Sequence, residues 1–158
     1  MFIKFLVDED FVNYKKCSMF IGFPCCTFKC DMEACKPICQ NSPLARQKDI
    51  VLAIEKIYER YITNPLTKAV VCGGLEPFDS YNDLYRLIKY FRDNGCQDEF
   101  VIYTGYNKDE VFFRLEELKA FSNIIVKFGR FVPDSESRHD DVLGVTLASK
   151  NQYAEVIS

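Results

Sequence analysis

An α/β fold with a mainly parallel sheet is what the sequence predicts, and two observations lead to it. Short apolar segments typical of buried strands alternate with amphipathic segments typical of helices. That alternation favours parallel strands joined by right-handed helical crossovers. The chain has 158 residues, which is enough to bury one core. We therefore predict a single domain over residues 1–158 whose cysteines are not needed to hold it together.

The first half of the chain contains two predicted strands and one predicted helix. Residues 18–23, SMFIGF, form an apolar strand that runs directly into a cysteine-rich segment. Residues 46–62 place isoleucine and tyrosine at helical spacing, and Pro65 cannot continue that helix. Residues 68–72, KAVVC, form a short buried strand that stops at a glycine pair. Together they make one strand–helix–strand unit.

The second half of the chain continues the alternation. Residues 81–95 predict an amphipathic helix that ends at a glycine, and residues 99–104 predict the next strand. A third helix is predicted over 108–121 and a last strand over 123–128. The remaining segment, 132–158, is less regular and carries no predicted element.

Glycine, polar residues or cysteine follow each predicted strand. The segments are the cysteine loop, defined here as residues 22–41, and then GGLEPFD, TGYN and GRF. In sheets of this kind ligands bind beyond the carboxyl ends of the strands. We therefore expect the four segments to converge on one edge of the sheet and to form the functional site there.

Composition and charge exclude several classes of function. The net charge of −3 implies no basic face, so nucleic acid is not expected as the main partner. No apolar run approaches the roughly 20 residues of a membrane span. The N-terminal stretch MFIKFLVDEDF carries acids where a signal peptide would be apolar. We therefore expect a cytoplasmic protein with reduced thiols, in which clustered cysteines indicate metal binding or catalysis rather than disulfides.

Five of the eight cysteines lie in the cysteine loop, and three interpretations of them are open. They could be structural thiols. They could bind zinc through two pairs, Cys26 with Cys30 and Cys35 with Cys39. They could instead hold an iron–sulfur cluster, and the trio Cys26, Cys30 and Cys39 would then leave one iron open for another ligand.

The cysteine motif resembles that of radical SAM enzymes. CTFKC…CQN matches their pattern of cysteine, three residues and cysteine, and it ends with a similar polar pair after the last cysteine. The family places two residues before its third cysteine, whereas eight residues separate Cys30 from Cys39 here. We interpret the difference as an insertion. Cys35 therefore remains an alternative to Cys30 or Cys39, and Cys25 an alternative to Cys26.

A second motif strengthens this resemblance. VVCGGLEPFD is similar to the family's Gly-Gly-Glu-Pro motif, although Leu75 splits it here. In the family that loop binds the amino group of the methionine part of S-adenosylmethionine. Glycine lets a backbone approach a ligand closely, and a carboxylate or carbonyl can accept a hydrogen bond from an ammonium group.

Three further segments narrow the resemblance to the activating proteins of anaerobic (class III) ribonucleotide reductases. VIYTGYNKDEV resembles their YTGY strand end, KFGRF their Asp-Gly-x-Phe segment, and LASKNQYAEVI their Gly-Ser-x-Asn-Gln ending. Lys127 and Phe128 depart from the second pattern. The resemblance extends over nearly the whole chain. It implies a partial, open (β/α) barrel of radical SAM type.

The resemblance also implies a function. A 4Fe-4S cluster on Cys26, Cys30 and Cys39 would cleave S-adenosylmethionine reductively, and the resulting radical would create a glycyl radical on a large partner, most simply a class III ribonucleotide reductase. Flavodoxin or ferredoxin would supply the electron. The alternatives are a radical SAM enzyme acting on another glycyl-radical enzyme, a small molecule or a peptide, and a non-catalytic zinc-binding interaction protein.

The same resemblance implies which residues bind the cofactors. Gln40 and Asn41 would shield the cluster or contact the adenosine, whereas Lys127 and Arg130 would pair with the methionine carboxylate or be solvated bases. His139 is expected to face solvent, and Asn151 and Gln152 are expected at the rim of the site. The cofactor-binding residues that we predict are Gln40, Asn41, Gly73, Gly74, Glu76, Tyr103, Thr104, Gly105, Lys127 and Arg130.

Overall fold

A six-stranded open sheet forms the centre of the computed structural model, which describes residues 1–158. Its strands lie in the order β10-β7-β6-β5-β3-β2, and two small sheets pair β1 with β4 and β8 with β9. The strands are β1 (Phe2–Ile3), β2 (Phe5–Asp10), β3 (Ser18–Phe23), β4 (Ile50–Val51), β5 (Ala69–Gly74), β6 (Glu99–Tyr103), β7 (Ile124–Phe128), β8 (Arg138–Asp140), β9 (Val145–Leu147) and β10 (Tyr153–Val156).

The predicted partial barrel with a mainly parallel sheet is wrong. Only β3, β5, β6 and β7 pair in parallel, which makes three parallel pairs, and the other four pairs in the molecule are antiparallel. Both edges of the large sheet, β2 and β10, run antiparallel to their neighbours. A barrel requires strand pairing around its whole circumference. These two edge strands end the sheet instead of extending the parallel repeat, so it stays open and mixed.

The helices confirm most of the predicted order and shift its boundaries. They are α1 (Lys29–Ala34), α2 (Ser42–Ala45), α3 (Ile54–Thr63), α4 (Tyr81–Asp93) and α5 (Phe112–Leu118). The helix predicted from residue 46 begins only at Ile54, because Ile50 and Val51 pair with the N-terminal strand β1. The helix predicted from residue 108 begins with a 3₁₀ turn over Lys108–Val111, where Asn107 and Glu110 form a capping box. Helices α1 and α2, inside and just after the cysteine loop, were not predicted.

The two faces of the sheet are covered differently. Alternate strand residues point to opposite faces, so Val70 and Cys72 pack under the helices while Ala69 and Val71 face the other way. Helices α3, α4 and α5 cover the first face with the larger core. The second face is covered by the turn that holds Tyr14 and by the β8–β9 hairpin. The segment 132–158, predicted to be irregular, therefore contributes three strands.

The parallel register brings the carboxyl ends of four strands together. Phe23 lies opposite Gly74, and Tyr103 lies opposite Lys127. The cysteine loop and the loops after β5, β6 and β7 therefore begin along one edge of the sheet, as predicted. No helix of the protein has the length and apolar character that a membrane crossing needs.

Candidate functional site

A cavity of about 470 Å³ opens at the carboxyl edge of the parallel strands. We call it the site cavity. It brings together residues of the cysteine loop, the loops after β5, β6 and β7, and the β9 strand. The predicted site residues that line it are Cys26, Cys30, Cys39, Gln40, Asn41, Gly74, Glu76, Tyr103, Thr104, Gly105, Lys127 and Gln152. Gly73, Arg130 and Asn151 lie just outside its lining.

Three of the five clustered cysteines line the site cavity. Cys26, Cys30 and Cys39 are half-buried, whereas Cys25 and Cys35 are exposed and outside the lining. Burial raises the pKa of the Cys26 thiol to about 12, and nearby negative charge, including that of Cys39, adds to the increase. Burial also raises the pKa of Cys30, and again Cys39 adds to it. The charge of Cys39 therefore acts on both Cys26 and Cys30.

The donor set of the site cavity fits an iron–sulfur cluster. Such clusters are held by cysteine thiolates, and a bound metal ion deprotonates a thiol that would otherwise stay protonated at neutral pH. The backbone N–H of Phe28 already donates to the sulfur of Cys26 at 3.3 Å, which favours the thiolate form. No three His, Cys, Asp or Glu side chains converge on one point as ligands of a single metal ion would.

Glu76, the carboxylate of the GGLEP segment, ties three loops together. It is buried, and burial raises its pKa to about 7 although three hydrogen bonds act in the opposite direction. Its Oε1 accepts from the Thr104 hydroxyl at 2.8 Å, and its Oε2 accepts from the Gly105 N–H at 2.8 Å. Its own N–H donates to the carbonyl of Cys25 at 2.8 Å. Glu76 therefore positions the loop after β6 against the cysteine loop.

Gly74 occupies a position that only glycine suits. Its φ of +81° lies in the left-handed region. A Cβ there would be 3.0 Å from the Cα of Gly22 and 3.2 Å from the Leu44 side chain. The β5 loop can therefore follow this path, with its backbone facing the site cavity at Gly74, only without a side chain.

Two buried cations lie on the β7 side of the site, and they differ in what they already bind. Lys127 lines the site cavity, burial lowers its pKa to about 8, and its ammonium donates one hydrogen bond, to the Gly129 carbonyl at 2.8 Å. Arg130 is held by Glu110 through two hydrogen bonds of 2.8 and 2.6 Å and by Glu33 at 3.1 Å. The predicted role of both in binding a carboxylate stays a prediction, and of the two only Lys127 lines the site cavity.

Sequence reasoning missed the residues that hold the cysteine loop in place. Asp79 accepts the N–H of Thr27 at 2.7 Å and the hydroxyl of Tyr106 at 2.6 Å. Glu110 accepts from Lys29 at 2.7 Å in addition to Arg130. Because Glu110 lies three residues after Asn107, the sequence indicates a capping box there. It does not indicate that Glu110 also binds Lys29 and Arg130.

An apolar wall of the site cavity was also missed. Phe5 and Phe20 pack edge to face at 5.1 Å, and both line the site cavity. Val145 and Leu147 of the β9 strand contribute to the same lining. His139, on the neighbouring strand β8, is exposed, as predicted.

Comparison with known proteins identifies the kind of domain. A family model described as a 4Fe-4S single cluster domain matches residues 14–153. That span contains every cysteine of the cysteine loop and every predicted cofactor-binding residue. No curated protein and no solved structure matches the chain.

Proposed function

Since the chain belongs to the family of 4Fe-4S single cluster domains, we propose that it is a radical SAM activase that places a glycyl radical on a large partner enzyme. One observation carries the proposal. The three cysteines of CTFKC…CQN and the GGLEP loop, which are far apart in the sequence, line one cavity at the carboxyl edge of the sheet. The proposal rests on this site and not on a barrel, since function depends on the site rather than on the fold.

Cys26, Cys30 and Cys39 are the proposed cluster ligands. Three thiolates would hold a four-iron cluster and leave one iron without a protein ligand, available to S-adenosylmethionine. A cluster held there would supply the electron for reductive cleavage of the sulfonium to methionine and a 5′-deoxyadenosyl radical, and that radical would take a hydrogen atom from a glycine of the partner.

The loop after β5 is the proposed partner of the methionine ammonium group. Gly74 has no side chain to exclude the ligand, and loop carbonyls are suitable acceptors. Both Glu76 oxygens already accept hydrogen bonds within the protein. We therefore assign to Glu76 the shaping of this loop.

Lys127 is a better candidate than Arg130 for binding the methionine carboxylate. An ammonium group has three donors, and Lys127 uses one of them within the protein. The Arg130 guanidinium is already paired with two carboxylates, those of Glu110 and Glu33. The apolar wall formed by Phe5, Phe20 and the β9 strand would pack against the flat adenine ring.

The first experiment measures the cluster and the cleavage reaction together. Protein reconstituted under anaerobic conditions should hold about four irons with matching sulfide and should form 5′-deoxyadenosine from S-adenosylmethionine and dithionite. Cys26→Ala, Cys30→Ala and Cys39→Ala should each lose both properties. Cys96→Ala, which removes a half-buried thiol far from the cysteine loop, is the matched control.

Two results would contradict the proposal. Zinc without iron or sulfide would make the protein a zinc-binding interaction module. A complete cluster without any 5′-deoxyadenosine would leave an iron–sulfur protein of another function.

A further inference from the structure

The long spacer between Cys30 and Cys39 poses a geometric problem. Cys30 lies in helix α1, and a helix that continued to residue 39 would rise about 1.5 Å per residue and carry Cys39 roughly 13 Å away. The chain must therefore reverse within eight residues to bring both thiols to one cavity. It begins the reversal at Cys35, whose φ of 50° ends the helix in the left-handed region.

One carboxylate holds the returning segment. Asp31 Oδ1 accepts the backbone N–H of Ile38 at 2.8 Å and that of Cys39 at 2.7 Å. Hydrogen bonds from backbone N–H groups to a charged acceptor are among the stronger ones in proteins. No other side chain bonds the backbone of residues 36–39. Because Asp31 directly follows Cys30, this single oxygen connects the two cysteines across the spacer.

The reversal leaves Cys35 and Cys39 in different surroundings. Cys39 is half-buried and lines the site cavity with Cys26 and Cys30. Cys35 is exposed at the tip of the loop, and its thiol faces the Met32 carbonyl at 3.7 Å. Both thiols lie within nine residues of Cys30. The path of the returning chain therefore decides which of them reaches the cavity.

We propose that Asp31 is a positioning residue that selects Cys39, rather than Cys35, as the third cluster ligand. The proposal rests on the cluster-binding role proposed above for Cys26 and Cys30. The carboxylate acts through the backbone of Ile38 and Cys39 and does not itself touch the cluster. Without the acceptor, the N–H groups of Ile38 and Cys39 lose their partner and the segment 36–39 loosens. Cys35 then competes with Cys39 to be the third cysteine ligand.

The test compares two substitutions that differ in one property. Asp31→Asn keeps an oxygen acceptor at the same place and loses the charge, whereas Asp31→Ala loses both. Asp141→Ala removes a fully exposed carboxylate and serves as the matched control. Circular dichroism would verify that each variant is folded.

The first readout uses the protein without a cluster. Alkylation of each thiol, followed by mass spectrometry, measures how well Cys39 is shielded. In Asp31→Ala, Cys39 should be alkylated about tenfold faster than in the wild-type protein, because two hydrogen bonds to a charged acceptor are lost. The rate at Cys35 should not change, and Asp31→Asn should lie much closer to wild type.

The second readout uses the reconstituted protein. The loss of iron to a chelator should be about tenfold faster in Asp31→Ala. The electron paramagnetic resonance spectrum of its reduced cluster should contain a second species. Adding Cys35→Ser to Asp31→Ala should remove that species, which identifies Cys35 as its source. Asp31→Asn should restore the single wild-type species.

The outcomes separate this proposal from the proposed function. Wild-type rates of Cys39 alkylation and iron loss in Asp31→Ala would overturn the role of Asp31. A wild-type protein that binds no cluster would overturn the proposed function. The alkylation rates would still decide whether Asp31 positions Cys39.

Discussion

At the residue scale, Glu110 is the centre of the ion pairs that hold the cysteine loop. It binds Arg130 from the loop after β7 and Lys29 from helix α1. The pKa of Glu110 is lowered from 4.5 to about 2, mainly by the hydrogen bonds from Arg130. Hydrogen bonds from Lys29 and from the Asn107 N–H also lower it. Glu33 and the Tyr106 ring also face the Arg130 guanidinium.

This pKa predicts a dependence of stability on pH. A carboxyl group whose pKa is lowered on folding stabilises the protein fully above its ordinary pKa and loses that effect as the pH falls toward the folded value. As the pH falls from about 5 to 2, the wild-type protein without a cluster should lose the stabilising contribution of Glu110. Glu110→Gln lacks that contribution at every pH, so its stability should fall less over this range. At pH 7 the variant should be less stable by about 1–3 kcal/mol, because Arg130 loses its charged acceptor.

The measurement is urea unfolding of both proteins across that pH range. Exchanging Glu116, which forms an exposed pair with Lys119, for Gln provides the control, since exposed ion pairs contribute little. Parallel pH curves for wild type and Glu110→Gln would show that the pair does not stabilise the fold.

At the scale of the elements, the segment after Cys39 depends on a lysine from the start of the chain. Lys4 is buried between β1 and β2. Its ammonium donates to the carbonyls of Ala45 at 3.1 Å and Gln47 at 2.6 Å, and it pairs with Asp49 at 2.7 Å. Helix α2 has only four residues and cannot be stable alone. The N-terminal strands therefore hold the chain where it leaves the cysteine loop.

Replacing this lysine should release the segment. Lys4→Met removes the donor of all three contacts, and we expect a loss of about 2 kcal/mol or more in the free energy of unfolding. Trypsin should also cleave the variant faster after Arg46 and Lys48, which flank the freed carbonyls. Lys68→Met, at an exposed position, is the control. If trypsin cleaves Lys4→Met at the wild-type rate, other contacts hold the segment.

At the scale of the whole molecule, the open sheet keeps the site cavity accessible from its carboxyl edge. The helices cover one face, and the β8–β9 hairpin covers the other. No strand closes the sheet between β2 and β10. Such an arrangement would suit the proposed function, in which a glycine of a partner enzyme approaches the site from outside.

The proposed function predicts a glycyl radical on a partner enzyme. The reduced protein, mixed with S-adenosylmethionine and a class III ribonucleotide reductase, should produce a glycyl-radical signal in electron paramagnetic resonance. A reductase whose radical glycine is replaced by alanine should give none, and neither should Cys39→Ala. Cleavage without a radical on any glycyl-radical enzyme, together with turnover of a small molecule or peptide, would favour a different substrate.

Much of the site was predictable because its signals are local. Glycines, prolines and cysteines at strand ends indicate where a chain turns and where a ligand could bind. Twelve of the predicted site residues line one cavity. The positions of Asp31, Asp79 and Lys4 were not predictable. Each binds a group that comes close to it only in the folded chain, so the residues around it in the sequence do not reveal its partner.

Hydrophobic periodicity is a property of short segments, so the sequence was enough to predict the order of the parallel strands β3, β5, β6 and β7 and of the helices α3, α4 and α5 between them. It also determined that thiols and a glycine-rich loop lie at the carboxyl ends of these strands. Folding of the whole chain was needed to place β2 and β10 as antiparallel edge strands and to bring Cys26, Cys30 and Cys39 to the cavity. The acid-rich β2 becomes a strand by pairing with β3, and Cys39 reaches the site through the reversal after Cys35. Both depend on partners that only the folded chain brings together.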